Sequence, residues 1–342
     1  MTALKSISFL TPGNYLDSAP GQGLGETLEL FELAEELGYN GAWVRQRHLE
    51  HGISSATVFL AAASQRTKHI ELGTGVIPIG YESPFRLAED LSTADVLSGG
   101  RLQVGLSAGT PTHIELLGEM AFDGDWRTVD FSHRRIERLF ENLEGKYLGP
   151  ADTVIQSPGN VQRPRLQPYS PGLRDRLWYG AGSQRSTEWA AENGANLVVG
   201  NIVAAECSDD FGEAQAGNVN SYLRDFNGEV EPRVIVGRVV LPTDSADAAT
   251  RDRYREYAAG RHARTLAPQG PRRALFAPDI VGGLEEIVSA LLADPVVANA
   301  SEVQLNLPYE FSIGDYQQIV SDFSTLVAPA LGWSSRALAA TL

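Results

Sequence analysis

Eight times along this chain a short apolar run gives way to a helical pattern, and that alternation constrains the fold more than any single motif. The first run is 5–10 (KSISFL); residues 25–38 follow, with Leu28, Phe31, Leu33 and Leu37 in a stripe that Gly38 stops. Next come a strand at 41–45 and a helix at 54–66, a strand at 70–79 and a helix at 83–100, then a strand at 101–106. A polar loop leads to a charged helix near 132–145, and Pro150, Pro158, Pro164, Pro168 and Pro171 predict irregular chain over 146–176. The pattern resumes with a strand at 176–181 and a helix beyond it, a strand at 195–201 and a helix near 208–225, and a strand at 233–241 with a helix at 246–258. A loop at 259–281, a helix at 282–293, a strand at 301–308 and a helix from about 314 complete it.

Strands separated by helices run parallel, because parallel neighbours need a crossover connection. Eight such units predict an α/β fold, a closed (β/α)8 TIM barrel: one domain over 1–342 with insertions near 107–131, 146–176 and 259–281. The alternative is an open doubly wound sheet, but its G-x-G-x-x-G turn is missing after the first strand. GQGLGE (21–26) has glycines only at two-residue spacing and reads as a mobile loop.

Composition narrows the function. A net charge of −15 argues against nucleic acid and against anionic membrane surfaces. The single cysteine, Cys207, allows no internal disulfide and no thiolate cluster, which points to the cytoplasm. The N-terminal apolar run is too short for a signal peptide, and no run approaches the ~20 residues that span a bilayer. His48 and His51 stand three residues apart with nothing to complete a metal set, so no metal is expected.

In a barrel, chemistry gathers where strands end. The second strand runs into Arg45, Gln46, Arg47 and His48; the third ends GTGVIPIG, the fourth SAGT, and the fifth GAGSQRS before a helix. Gly73, Gly75, Ser107 and Gly109 each fit a bulge or a plain turn when read singly. Together they leave room for a flat ligand against the backbone. Gly182, Ser183, Gln184 and Ser186 open a helix whose free N–H groups suit a phosphate, although Ser183 also serves as a simple N-cap. His48 is the acid–base candidate, the alternative being a hydrogen-bonded structural histidine. Arg47 holds an anionic group or pairs with a carboxylate.

The series LGTGVIPIGYESPFRLAEDLSTADVLSGGRLQVGLSAGT (72–110), with GSQRSTEWAAENG (182–194), resembles the bacterial luciferase-like flavin-dependent monooxygenases over nearly the whole chain. The resemblance implies reduced FMN over the barrel mouth, with dioxygen and a small organic molecule as co-substrates. Ser183 and Ser186 match the phosphate-binding turn, and Arg134 matches a phosphate-contacting arginine. Gly75 and Val76 fall at a non-prolyl cis peptide beneath the ring, and Ser107 falls where luciferase has a reactive cysteine. Two positions depart from luciferase: Arg47-His48 replaces paired histidines, and Ala108 replaces a phosphate-contacting arginine. With no dinucleotide fingerprint, the expected electron source is a separate flavin reductase acting by diffusive transfer. A homodimer packed through the second to fourth units is expected, and 259–281 is expected to be a mobile lid. The alternatives are a deazaflavin-dependent hydride-transfer enzyme and a non-catalytic flavin-binding protein.

Overall fold

A computed structural model describes residues 4–335. Eight parallel strands close into a barrel: β1 (Ser6–Thr11), β2 (Gly41–Val44), β3 (Glu71–Pro78), β4 (Leu102–Ser107), β5 (Leu177–Gly180), β6 (Asn196–Val199), β7 (Val234–Arg238) and β8 (Glu302–Asn306). Each neighbours the next in chain order, and β8 closes on β1 through Ser6↔Glu302 to Leu10↔Asn306. The expected barrel is the observed one. Its outer layer includes α1 (Pro20–Glu36), α2 (Ala56–Arg66), α3 (Pro84–Ser98), α4 (Ile114–Phe122), α5 (Arg134–Leu143), α6 (Gln184–Glu192), α7 (Phe211–Asp225), α8 (Ala248–His262), α9 (Leu284–Ala293) and α10 (Ile313–Asp322).

The barrel interior is filled chiefly by two indoles. Trp43 of β2 and Trp178 of β5 are fully buried and meet edge to face at 5.5 Å, with Leu10, Val198 and Ile235 packed around them. Trp43 is the register partner of Gly73 on β3, and any side chain at Gly73 would enter the indole. Gly73 therefore serves the interior, not a bulge. The indole N–H of Trp178 donates to Gln103 Oε1 at 2.8 Å, so its polar edge is satisfied inside.

The Pro-rich stretch 146–176 contains a short exposed hairpin, Ile155–Ser157 with Asn160–Gln162, and a 3-10 turn at Leu173–Arg176, and is otherwise irregular. Its end is pinned by a buried charge. Asp95 on α3, fully buried, accepts from Arg176 at 2.7 and 2.9 Å, from the Ser170 hydroxyl at 2.5 Å and from the Leu102 amide at 3.2 Å. One carboxylate thus ties α3, the start of β4 and the entry to β5.

Four expectations change. GQGLGE is not a mobile loop: Pro20 starts α1, so these residues are helical, and a Cβ at Gly23 would lie 2.6 Å from the Asn14 carbonyl. The loop after β4 carries a helix, α4, whose Gly118 and mixed burial obscured its period. The 233–241 strand divides: β7 ends at Arg238, and Val240–Pro242 leaves the barrel to pair with Ile280–Gly282. The 259–281 stretch is structured in part: α8 runs on to His262, Ala274–Phe276 pairs with Ile202–Ala204, and Arg261 meets the buried Asp279 at 2.6 Å.

Among the described residues no helix is long and apolar enough to cross a membrane. Removing one partner of a buried ion pair leaves the other charge uncompensated, which costs about 3–5 kcal/mol. Arg176 is one-fifth exposed, so Arg176→Met is expected at the lower end, a loss of about 3 kcal/mol in urea unfolding. A loss below about 1 kcal/mol would show that Asp95 does not depend on it.

Candidate active site

At the C-terminal ends of β2, β3 and β4 lies one cavity of about 240 Å³, lined by Arg45, Gln46, Arg47, His48, Glu50, Gly75, Val76, Pro78, Tyr81, Ser107, Thr112 and His113. Five of the sequence candidates (Arg47, His48, Gly75, Val76 and Ser107) share it. The Gly75–Val76 peptide is cis, and the β3–β4 register shifts between Thr74 and Ile77 around it. Thr74 steadies the strand just before, donating its hydroxyl to the Gly105 carbonyl at 2.9 Å. The Val76 side chain reaches toward β5, where a Cβ at Gly180 would sit 2.8 Å from its Cγ1. Small residues at neighbouring strand ends thus accommodate Val76 and leave the space above it open.

Gln46 orients the histidine. Its Oε1 accepts the Ala56 amide at 3.1 Å, which turns the NH2 end to Glu82 Oε1 at 2.7 Å and to His48 Nε2 at 3.5 Å. A donor facing Nε2 places the His48 proton on Nδ1. The ring meets Tyr81 edge to face at 4.9 Å. Burial pulls the His48 pKa down, and Glu82 only partly opposes it, which favours the neutral ring. Arg47 lies 3.9 Å from Glu50, whose carboxylate also faces His113 at 3.5 Å. Arg45 is different: it stacks over the Tyr309 ring at 5.5 Å, and burial pushes its guanidinium down against the opposing influence of the Tyr309 phenol.

The helix-opening turn sits on the next strand, outside this cavity. Ser183 caps α6, accepting the Ser186 amide at 3.3 Å, and the two hydroxyls are 2.5 Å apart. The Gln184 amide is taken by the Glu206 carboxylate at 2.6 Å, and the Gly182 carbonyl by the Ala204 amide at 2.7 Å. Arg134 does not face this turn: it is exposed and holds Glu137 and Glu141 at 3.1 and 3.0 Å on the outer side of α5. The preceding residue turns inward. His133 stacks on Trp189 of α6 at 4.6 Å and pairs with the Tyr179 hydroxyl at 2.8 Å. Sequence reading placed Gln46 at the strand end without assigning it a role, and missed Tyr81, Glu82 and His113 as site residues; the Tyr81–Glu82 pair directly after a strand end was the available signal.

Burial, with Arg185 adding to it, also lowers the His133 pKa. A histidine whose pKa is lowered by folding binds protons more readily in the unfolded chain, so stability rises with pH through this window. As pH falls below the ordinary value of about 6.5, His48 and His133 therefore destabilise the fold. The measurement is the melting temperature at pH 7.5 and 5.5, a range above where carboxylates act. The double variant His48→Gln/His133→Gln is expected to lose less on acidification than the wild type; an equal loss would contradict these shifts.

The model of the luciferase-like monooxygenase family matches residues 4–287. The 4-hydroxyprotoasukamycin monooxygenase of Streptomyces nodosus subsp. asukaensis is 38% identical over 133 residues, 37% of this chain and 36% of that protein. The oxygenase component of flavin-dependent trigonelline monooxygenase from Acinetobacter baylyi is 25% identical over 228 residues, 66% and 61% of the two. An F420-dependent glucose-6-phosphate dehydrogenase of Amycolatopsis mediterranei is 31% identical over 137 residues, 38% and 39%. These matches span from about a third to under two thirds of the relatives' lengths. Among solved structures, apo-MsnO8 superposes with a TM-score of 0.71 at 20% identity, covering 98% of this chain and 99% of that one. The oxygenating constituent of 3,6-diketocamphane monooxygenase from Pseudomonas putida, in complex with FMN, gives 0.65 at 13%, covering 96% and 98%. With a family model matched across most of its length, the chain belongs to the luciferase-like monooxygenases.

Proposed function

We propose that this protein is a flavin-dependent monooxygenase that uses reduced FMN and dioxygen to oxygenate a small organic substrate, the reduced flavin arriving by diffusion from a separate reductase. The observation that carries the reading is the shared cavity, in which three neighbouring strands present His48, a small-residue floor at Gly75 and Val76, and Ser107. FMN fits these residues. The floor is low enough for a flat ring, and the α6 N-terminus one strand away already holds an anion, the Glu206 carboxylate. Gly182, Ser183, Gln184 and Ser186 would hold the phosphate; Gly75, Val76 and Ser107 would lie against the ring. When bound, FMN supplies the redox chemistry.

This chain's own groups do the rest. With Nε2 accepting from the Gln46 amide, His48 keeps Nδ1–H as the group it can donate to a reacting atom, and Gln46 and Tyr81 hold the ring in place. Arg47 adds positive charge at the mouth. Thr112 and His113 cover the cavity from the loop after β4, with the Tyr81 hydroxyl donating to the Thr112 carbonyl at 2.6 Å; such cover keeps water out. The reading includes a homodimer packed through helices of the second to fourth units, where Val58 of α2 and Val96 and Leu97 of α3 are exposed.

The F420-dependent relative supports a second reading, a deazaflavin-dependent hydride transfer. Titration of the purified protein with FMN and with F420 separates the two, tighter binding of FMN being expected. Anaerobic NADH or NADPH is expected to leave protein-bound FMN oxidised until a reductase is added; oxygen uptake then requires reduced flavin. Rapid bleaching without reductase would favour a self-sufficient oxidoreductase.

The phosphate turn carries its own test. Because Glu206 competes for the Gln184 amide, its removal frees a helix-end site worth about 0.3–1 kcal/mol to an anion. Glu206→Ala is expected to tighten FMN binding about two- to fivefold, and Ser183→Ala to weaken it. Weaker binding in Glu206→Ala would put the phosphate elsewhere.

A further inference from the structure

Two arginines stand at the mouth of an otherwise acidic protein, and only one of them has an acidic partner. Arg47 is close to Glu50, and Glu50 is shared with His113. The remaining nearby carboxylate, Glu82, accepts from Gln46. Among the described residues no carboxylate lies within ion-pair distance of Arg45, and its Nε is buried with no hydrogen-bond partner. Two other buried guanidinium groups are matched by carboxylates, Arg238 by Asp294 at 2.8 Å and Arg176 by Asp95; Arg165, Arg251 and Arg264 share an unpartnered Nε, but none of these three lines the cavity. A guanidinium with an orphaned Nε and no carboxylate partner is costly in a cavity unless a ligand completes it.

The position of Arg45 defines what that ligand can be. It lines the cavity over Gly75 and Val76 while stacking on Tyr309, and Tyr309 lines a second, larger groove of about 650 Å³. Arg47 and Glu50 border both spaces, so the two meet here. The groove runs between the loop after β1 and the loop after β8, and its walls include Tyr15, Leu16, Phe311, Ile313 and Tyr316. Its acidic members are Glu50, which faces Arg47 and His113, Glu26, which accepts from Gln22 at 2.7 Å, and Glu310. A planar guanidinium matches a carboxylate through two parallel hydrogen bonds, and apolar walls suit a hydrocarbon or aromatic body. The candidate phosphate turn is on the opposite side of the cavity, after β5.

We infer that Arg45 is a substrate-recognition residue, and that the substrate is an organic acid whose carboxylate docks on Arg45 while its apolar body lies in the groove toward Phe311 and Ile313. The assignment rests on the monooxygenase reading for what happens to that acid, but acid binding is measured without flavin. The probes are 3-phenylpropionate and its amide, of the same shape and without charge, titrated into the purified flavin-free protein by calorimetry, with FMN titrated separately. A charge-assisted pair of this kind gives about a 10- to 100-fold preference for the acid. Arg45→Gln is expected to erase that preference while leaving FMN affinity within about twofold, and Arg45→Lys to keep part of it. The Lys variant also serves if the Gln variant does not fold. Equal binding of acid and amide, no binding of the acid, or a preference that survives Arg45→Gln would overturn the inference. So would an Arg45→Gln variant that loses FMN affinity tenfold, since the guanidinium would then serve the flavin. A wild type that binds the acid but not FMN would sink the flavin reading and leave this one standing.

Discussion

Trp43 has room only because its partner across the sheet is glycine. The Trp43↔Gly73 pair sets the register of β2 against β3, and every later pair follows from it: Val44 opposite Thr74, then Arg45 leaving its strand beside Gly75. A slip of one residue would turn Trp43 out of the barrel and reverse every side chain beyond it. The mouth is thus positioned from one layer below. Trp43 against Trp178 fixes β2 and β5, and β3 and β4 are held between them. The bulge that carries the cis peptide begins one residue after the last regular β2–β3 pair. Above that point β3 is free to depart from regular pairing because the packed interior, not the mouth, sets its register.

The barrel was legible because its signal is repeated: eight alternations of period carry far more information than any one of them. The site was legible in part, through the shrinking of side chains at strand ends. What escaped had specific causes. Gly73 looks like Gly75 in sequence, yet one yields to an indole inside the barrel and the other lines the cavity, a difference that depends on a residue 30 positions away. Arg134 and His133 are adjacent and both polar, and which one turns inward is decided by Trp189 on one side and by Glu137 and Glu141 on the other. Sequence spacing does not carry such choices.

Arg45 and Arg47 illustrate the same limit more sharply. They alternate along the segment leaving β2, and in sequence Arg47 is the more prominent because it adjoins His48. Pairing separates their roles, since Glu50 lies three residues from Arg47 and reaches it, whereas among the described residues no carboxylate is within ion-pair distance of Arg45. An ion pair that is open to water has little net energy and little directional effect. The same charge under a ring and without a partner retains its field, because there is less water to screen it.

That contrast bears on how the mouth works within a chain of net charge −15. The field of that net charge disfavours anions close to the surface and is largely screened beyond roughly 8–10 Å at ordinary ionic strength. Flavin phosphates and organic acids must therefore be selected by short-range features, of which the molecule offers two on opposite sides of one cavity. One is the α6 N-terminus, where backbone amides supply partial positive charge and Glu206 holds the place of an anion. The other is Arg45, a full charge fixed by stacking on Tyr309. Amide donors are weaker but directional toward a phosphate, and a guanidinium fork is matched to a planar carboxylate. Two unlike anion sites separated by a neutral, small-residue floor give a cofactor and a substrate different ends of the same space, and leave His48 between them.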